Sequence, residues 1–188
     1  MIKHTIYAIG LGLLVFSLYL FQYTGAFKKV TITVDDRPEL HIIYKDYMGA
    51  YHKIVPIIED VETWAKKNNL KCRLSFGEYL DNPNQVEEGR LRARAGCVID
   101  PLVPEEHVQF EKLKSLLPEN YKTGTLHPMK AVVAIFSGAP GIGPLKVYPK
   151  AQEFIEKEKL VALGSVIEIY EVFDAKSVQT TYLWPIQK

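Results

Sequence analysis

The chain has 188 residues, 47% of them apolar and 24% charged, with a formal net charge of +1. That length suits one sizeable domain, and that composition excludes a disordered or collagen-like chain. The two cysteines, Cys72 and Cys97, are too few for a disulfide-built scaffold or a four-thiolate zinc site.

The first predicted element is a membrane helix. Residues 5–27 carry no charge, and as a helix they span about 34 Å, enough for a hydrocarbon core of roughly 30 Å. Tyr7, Tyr19 and Tyr23 stand near its ends, where amphipathic rings suit the interface, and Lys3 and Lys28-Lys29 bracket it. A cleaved signal peptide has a shorter apolar stretch, about 7–15 residues, although Thr24-Gly25-Ala26 would pass as a cleavage site. The expectation is a retained single-pass anchor in residues 1–29, meeting the bilayer through 5–23. Lys28, Lys29 and Arg37 outweigh Lys3 and the terminal amine, so the positive-inside rule leans toward a cytoplasmic domain.

Residues 30–188 read as one domain. Three of the 23 Lys+Arg and none of the 22 Asp+Glu precede Val30, leaving 20 basic against 22 acidic residues, a charge of −2. Such a domain has no electrostatic footprint for nucleic acid. Val30–Lys45 is strand-rich, with a break expected at Asp35-Asp36-Arg37-Pro38. His52–Asn68 carries the helical stripe at 54, 57, 58, 61, 64 and 65. Lys71–Leu80 alternates as a strand, Asp81-Asn82-Pro83-Asn84 turns, and Gly89–Asp100 returns. A connecting helix over Glu105–Leu117 precedes a strand at Lys130–Phe136, a helix over Val147–Lys159, and strands at Val166–Phe173 and Val178–Ile186.

This order contains one unit twice. Trp64–Leu70 aligns with Phe154–Leu160 at an offset of 90, which also sets Glu78 on Glu168. Met48-Gly49-Ala50 aligns with Ser137-Gly138-Ala139 at 89. Each copy, about 30–100 and about 128–188, reads strand–helix–strand–strand. Two copies make an antiparallel sheet with helices on one face, an α+β fold. A turn centred between Asn84 and Gln85 sets Cys72 opposite Cys97, Leu74 opposite Ala95 and Leu80 opposite Gly89. In a cytoplasmic domain that geometry gives two neighbouring reduced thiols rather than a bridge.

Tyr44–Tyr51 entering a helix, Tyr79-Leu80-Asp81-Asn82-Pro83, Arg92 with Gly96-Cys97, Ile167-Glu168-Ile169-Tyr170 and Leu183-Trp184-Pro185-Ile186 stand in one order along the domain. Together they resemble the GyrI-like effector-binding family. With the apolar helix in front, the nearest subgroup is the membrane-anchored, testis-expressed reticulophagy receptor and its relatives, whose acidic C-terminal tail has no counterpart before Lys188. The resemblance implies the doubled strand–helix–strand–strand fold on the cytosolic side of a membrane. No helix-turn-helix stands before the domain, where transcription-factor members carry one.

On Val166–Phe173, Val166, Glu168, Tyr170 and Val172 share one face. The resemblance implies that Glu168 meets a cationic amphiphile amid aromatic rings, and a carboxylate in an apolar cleft suits such a ligand. Tyr47, Tyr51, Tyr170, Tyr182 and Trp184 are the candidate walls, against the plainer reading that sheet aromatics are core or cross-strand partners. Glu78, the repeat mate, reads as structural. The loop Ser137–Pro144 lacks the ending of a P-loop, and the five histidines show no ligand spacing, so neither metal nor cofactor is expected. Phe110-Glu111-Lys112-Leu113 matches an autophagy-modifier hook but reads as a packed helical stripe. The expected activity is non-covalent binding of a small apolar or cationic ligand. The alternatives are a membrane-face adaptor for a protein partner and, third, a small hydrolase using Glu168 with Tyr170 or Tyr182.

Overall fold

The computed structural model describes residues 2–174 and 177–187. An N-terminal helix α1 (Ile2–Thr24) leads into β1 (Thr31–Arg37), β2 (Leu40–Met48), α2 (Val55–Lys67), β3 (Leu74–Tyr79) and β4 (Arg92–Val98). Then come α3 (Pro104–Leu113), β5 (Lys122–Leu126), β6 (Met129–Ser137), α4 (Gly143–Lys157), β7 (Val166–Asp174) and β8 (Ser177–Pro185). The strands form one antiparallel sheet in the order β1-β6-β8-β7-β3-β4-β2-β5. The expected α+β fold is therefore present. Its two units, β2–α2–β3–β4 and β6–α4–β7–β8, meet where β3 pairs with β7.

Two short links force this sheet to roll. Pro38 and Glu39 alone join β1 to β2, and His127 and Pro128 alone join β5 to β6. Each of those pairs stands six places apart in the sheet, about 29 Å if flat. Two residues reach only about 7 Å. The sheet therefore curls, and its inner face closes over Leu40, Ile42, Phe76, Val98, Val133, Ile167 and Leu183. The outer face carries the helices. Val61 and Ala65 of α2 and Phe110 and Leu113 of α3 pack on Ile43 and Cys97. Val147 and Ala151 of α4 pack on Val132, Ala134 and Phe136. Phe110 is thus core, as the helical stripe implied.

The span Lys3–Thr24 is long and apolar enough to cross a membrane, and none of its most apolar stretch is buried. A signal sequence passes the same test of length and composition. The exit of α1 is fixed to the domain. Ala139 N–H donates to Thr24 O at 3.0 Å, and the Lys146 ammonium of α4 donates to the carbonyls of Gly25, Ala26 and Lys28. A cation just past the helix C-terminus also suits the negative end of the helix dipole.

Four readings of the sequence need correction. The break in the first strand pair falls at Pro38-Glu39, and β5 adds a strand that the Thr- and Gly-containing segment Lys122–Leu126 did not announce. The β3–β4 register differs by three residues, with Leu74 opposite Val98 and Gly77 opposite Ala95. The last rung, Leu80 N–H to Arg92 O, leaves residues 81–91 as an uneven loop pinned by Asp81, whose Oδ2 accepts from Arg92 N–H at 2.8 Å and Nε–H at 2.9 Å. Cys72 then falls short of the strand and turns back at φ +49°, so its Cα still comes within 5.5 Å of that of Cys97. The two sulfurs form a disulfide, not the two reduced thiols expected.

Candidate ligand site

Period-two alternation sets Glu168 on the outer, helix-covered face of β7. Its cross-strand neighbours are Gly77 on one side and Tyr182 on the other. Gly77 is what lets the ring of Tyr79 lean inward, since a Cβ there would stand 3.1 Å from Tyr79 Oη. Gly143 does the same for α4: a Cβ would fall 1.9 Å from Tyr182 Oη, so only glycine lets this helix start so close to the sheet. From that start, Tyr148 on the first turns of α4 reaches over the strand.

The outcome is a carboxylate closed in by tyrosines. Glu168 is 3% exposed. Tyr148 Oη–H donates to its Oε1 and Tyr170 Oη–H to its Oε2, both at 2.8 Å. An ionised carboxylate only accepts, so Tyr170 gives its proton to Glu168 and accepts from Tyr79 Oη at 3.0 Å. Among the described residues no cation pairs with Glu168. Burial lifts its pKa above the ordinary carboxyl value, and the two tyrosine hydrogen bonds pull back more weakly. Burial, with the nearby carboxylate, pushes the hydroxyls of Tyr79, Tyr148, Tyr170 and Tyr182 upward, which keeps them neutral donors.

The expected residues divide into three groups. Tyr170 touches Glu168 directly. Tyr182 lies opposite it, stacks on Trp184 at 6.1 Å, and holds its hydroxyl buried with no hydrogen-bond partner among the described residues. Tyr148 meets both of those rings edge-on. Tyr51 joins only through Tyr79, its edge-on neighbour at 4.7 Å, while its own hydroxyl bridges Asp81 and Arg92 main chain. Tyr47 packs in the same cluster as Tyr79 and Tyr170, but its hydroxyl donates to Ala50 O at the turn into α2 and not to the carboxylate. Glu78 is not the counterpart of Glu168: it pairs with Ile167, faces the inner side, and meets Arg94 at 3.3 Å. Gly77 holds the place opposite Glu168. The sequence reading missed Tyr148 and Tyr79. Tyr79 alternates onto the Glu168 side of its strand, a signal that was available.

No protein-family model matches this chain, and no curated protein matches it. Solved structures do. EcmrR in complex with DNA shares 16% identity at a TM-score of 0.61, covering 100% of this chain and 69% of that one. The EcmrR C-terminal domain shares 14%, TM-score 0.61, covering 85% and 98%. SAV2435 bound to tetraphenylphosphonium shares 12%, TM-score 0.53, covering 84% and 94%. A chain described as a hydrolase from Listeria innocua shares 15%, TM-score 0.50, covering 89% and 98%. At these identities the likeness is one of fold, and that fold is the GyrI-like one the sequence motifs implied.

Proposed function

We propose that this protein is a membrane-anchored effector-binding domain that takes a small apolar or cationic ligand, non-covalently, at Glu168. One observation carries the reading: a carboxylate 3% exposed whose hydrogen-bond donors are two tyrosine hydroxyls and which, among the described residues, has no cation beside it. Burying a charge without a counter-charge is costly, and an aromatic wall attracts cations, so an entering cation gains twice. Tyr148, Tyr170 and Tyr79 close over the carboxylate, so entry requires those rings to part. That SAV2435 binds tetraphenylphosphonium on the same fold supports the ligand class. The similar hydrolase from Listeria innocua carries no activity across, because a fold hosts many functions. Binding rather than catalysis is the reading we adopt.

Anchoring through α1 belongs to the proposal, supported by a span exposed on all sides and by the Lys146 clamp at its exit. The test uses the full chain in detergent. Tetraphenylphosphonium should raise its melting temperature, tetraphenylborate of equal shape and opposite charge should not, and Glu168→Gln should lose the response. An equal response to both ions, or an undiminished one in Glu168→Gln, contradicts it.

A further inference from the structure

A cavity lies on the face of the sheet opposite Glu168. Its volume is about 170 Å³, and Arg37, Leu40, Arg73, Asp100, Ile169 and Glu171 line it. It exists because the sheet rolls: β1 supplies Arg37, β2 supplies Leu40, and these strands stand six places apart in the sheet order. It shares β7 with the Glu168 site, yet Ile169 and Glu171 project to this side while Glu168 and Tyr170 project to the other.

The two arginines differ. Arg73 is already paired: Nε–H and Nη2–H donate to Asp100 Oδ2 at 2.9 and 2.6 Å, and Nη1–H donates to the Glu171 carboxylate. Leu102 N–H takes the remaining Asp100 oxygen at 3.0 Å. Both carboxylates are thereby turned onto a cation. Arg37 has nothing comparable. Its Nε is buried with no acceptor, and no carboxylate stands within ion-pair distance among the described residues. A buried N–H left unmet is unfavourable, and more so on a charged group.

We infer that this cavity binds a small organic carboxylate, held at Arg37 with its apolar body on Leu40 and Ile169. Carboxylate oxygens match the paired N–H groups of a guanidinium edge. A cationic ligand would meet Arg37 as a like charge, and a wholly apolar one would leave its Nε–H unmet. The volume lies well below the roughly 300 Å³ at which drug-sized pockets begin, so the ligand is fragment-sized. This site is independent of the reading at Glu168.

The experiment measures benzoate binding to the full chain in detergent by saturation-transfer NMR, with benzamide as the uncharged isostere. Benzoate should bind saturably, and benzamide about tenfold more weakly or worse. Arg37→Gln should weaken benzoate by a similar factor, Arg37→Lys by less, and Glu168→Gln not at all. Four results overturn the site: no saturable benzoate binding to the native chain, equal binding of the two probes, undiminished binding in Arg37→Gln, or loss in Glu168→Gln. The benzoate–benzamide comparison uses the native chain, so it decides the matter even where a variant fails to fold.

Discussion

Glu168 is held as an acceptor by groups that cannot neutralise it. Its raised pKa follows from burial, and the sign of the stability effect follows from that. The folded state binds the proton more tightly than the unfolded chain. The stability contributed by protonated Glu168 is therefore fully present below the ordinary carboxyl value of 4.5 and is lost as pH rises through the raised folded value. Asp60, Asp81 and Asp100 have lowered values and act oppositely, adding stability that is lost as pH falls. Comparing native chain and Glu168→Gln isolates the first effect. The variant should gain relative stability as pH rises above 4.5 and stay within about 1 kcal/mol of the native chain below it. Denaturant melts across the pH range read this directly, and parallel curves would remove Glu168 from the account. Tyr148→Phe deletes one donor to the ionised carboxylate and should cost about 1–3 kcal/mol at the high-pH end, with a smaller cost at the low end.

Elements place that residue, and the sequence announced them unequally. The faces of β7 were legible because alternation has a period of two, so Glu168 and Tyr170 were found together. The register of β3 on β4 was not, because an eleven-residue loop pinned by Asp81 and Arg92 has no symmetric centre. Tyr148 fell inside the expected helix Val147–Lys159, but its reach to Glu168 depends on how closely the first turn of α4, which starts four residues earlier at Gly143, approaches the sheet, and no periodicity shows that. The closeness of that turn rests on Gly143. Gly143→Ala would drive a methyl into Tyr182 Oη, and overpacking of this kind costs about 1–3 kcal/mol, seen as a lower melting midpoint. The Cys72–Cys97 bridge ties the start of β3 to β4 across 25 residues, and replacing both cysteines by alanine should cost about 3 kcal/mol. Alkylation before denaturation should find no free thiol. Two free thiols would restore the reduced pair, whereas a bridge that persists places the domain in an oxidising compartment, against the lean of the flanking lysines.

At the scale of the whole molecule, the rolled sheet makes two faces with different chemistry, and one helix, α4, reaches both Glu168 and the exit of α1. Tyr148 caps Glu168, and Lys146, two residues earlier, holds the carbonyls after α1. The fold class and the doubled unit could be read from strand and helix order. The rolling could not, because it follows from two proline-containing links that matter only once the strand order is known. If α1 is a retained span, the intact protein stays in the membrane fraction after alkaline carbonate washing; a mature chain beginning at Phe27 would show a cleaved signal instead. The most direct test of the central claim is calorimetric titration of tetraphenylphosphonium into the full chain, in buffers of different ionisation enthalpy, at pH values from about 4.5 upward. A cation that binds ionised Glu168 must displace its proton wherever the free protein holds one. The account predicts proton release that approaches one per ligand at the low-pH end, fades as pH rises, and is absent in Glu168→Gln. Binding with no proton release at any pH, or with the same release in Glu168→Gln, would contradict it.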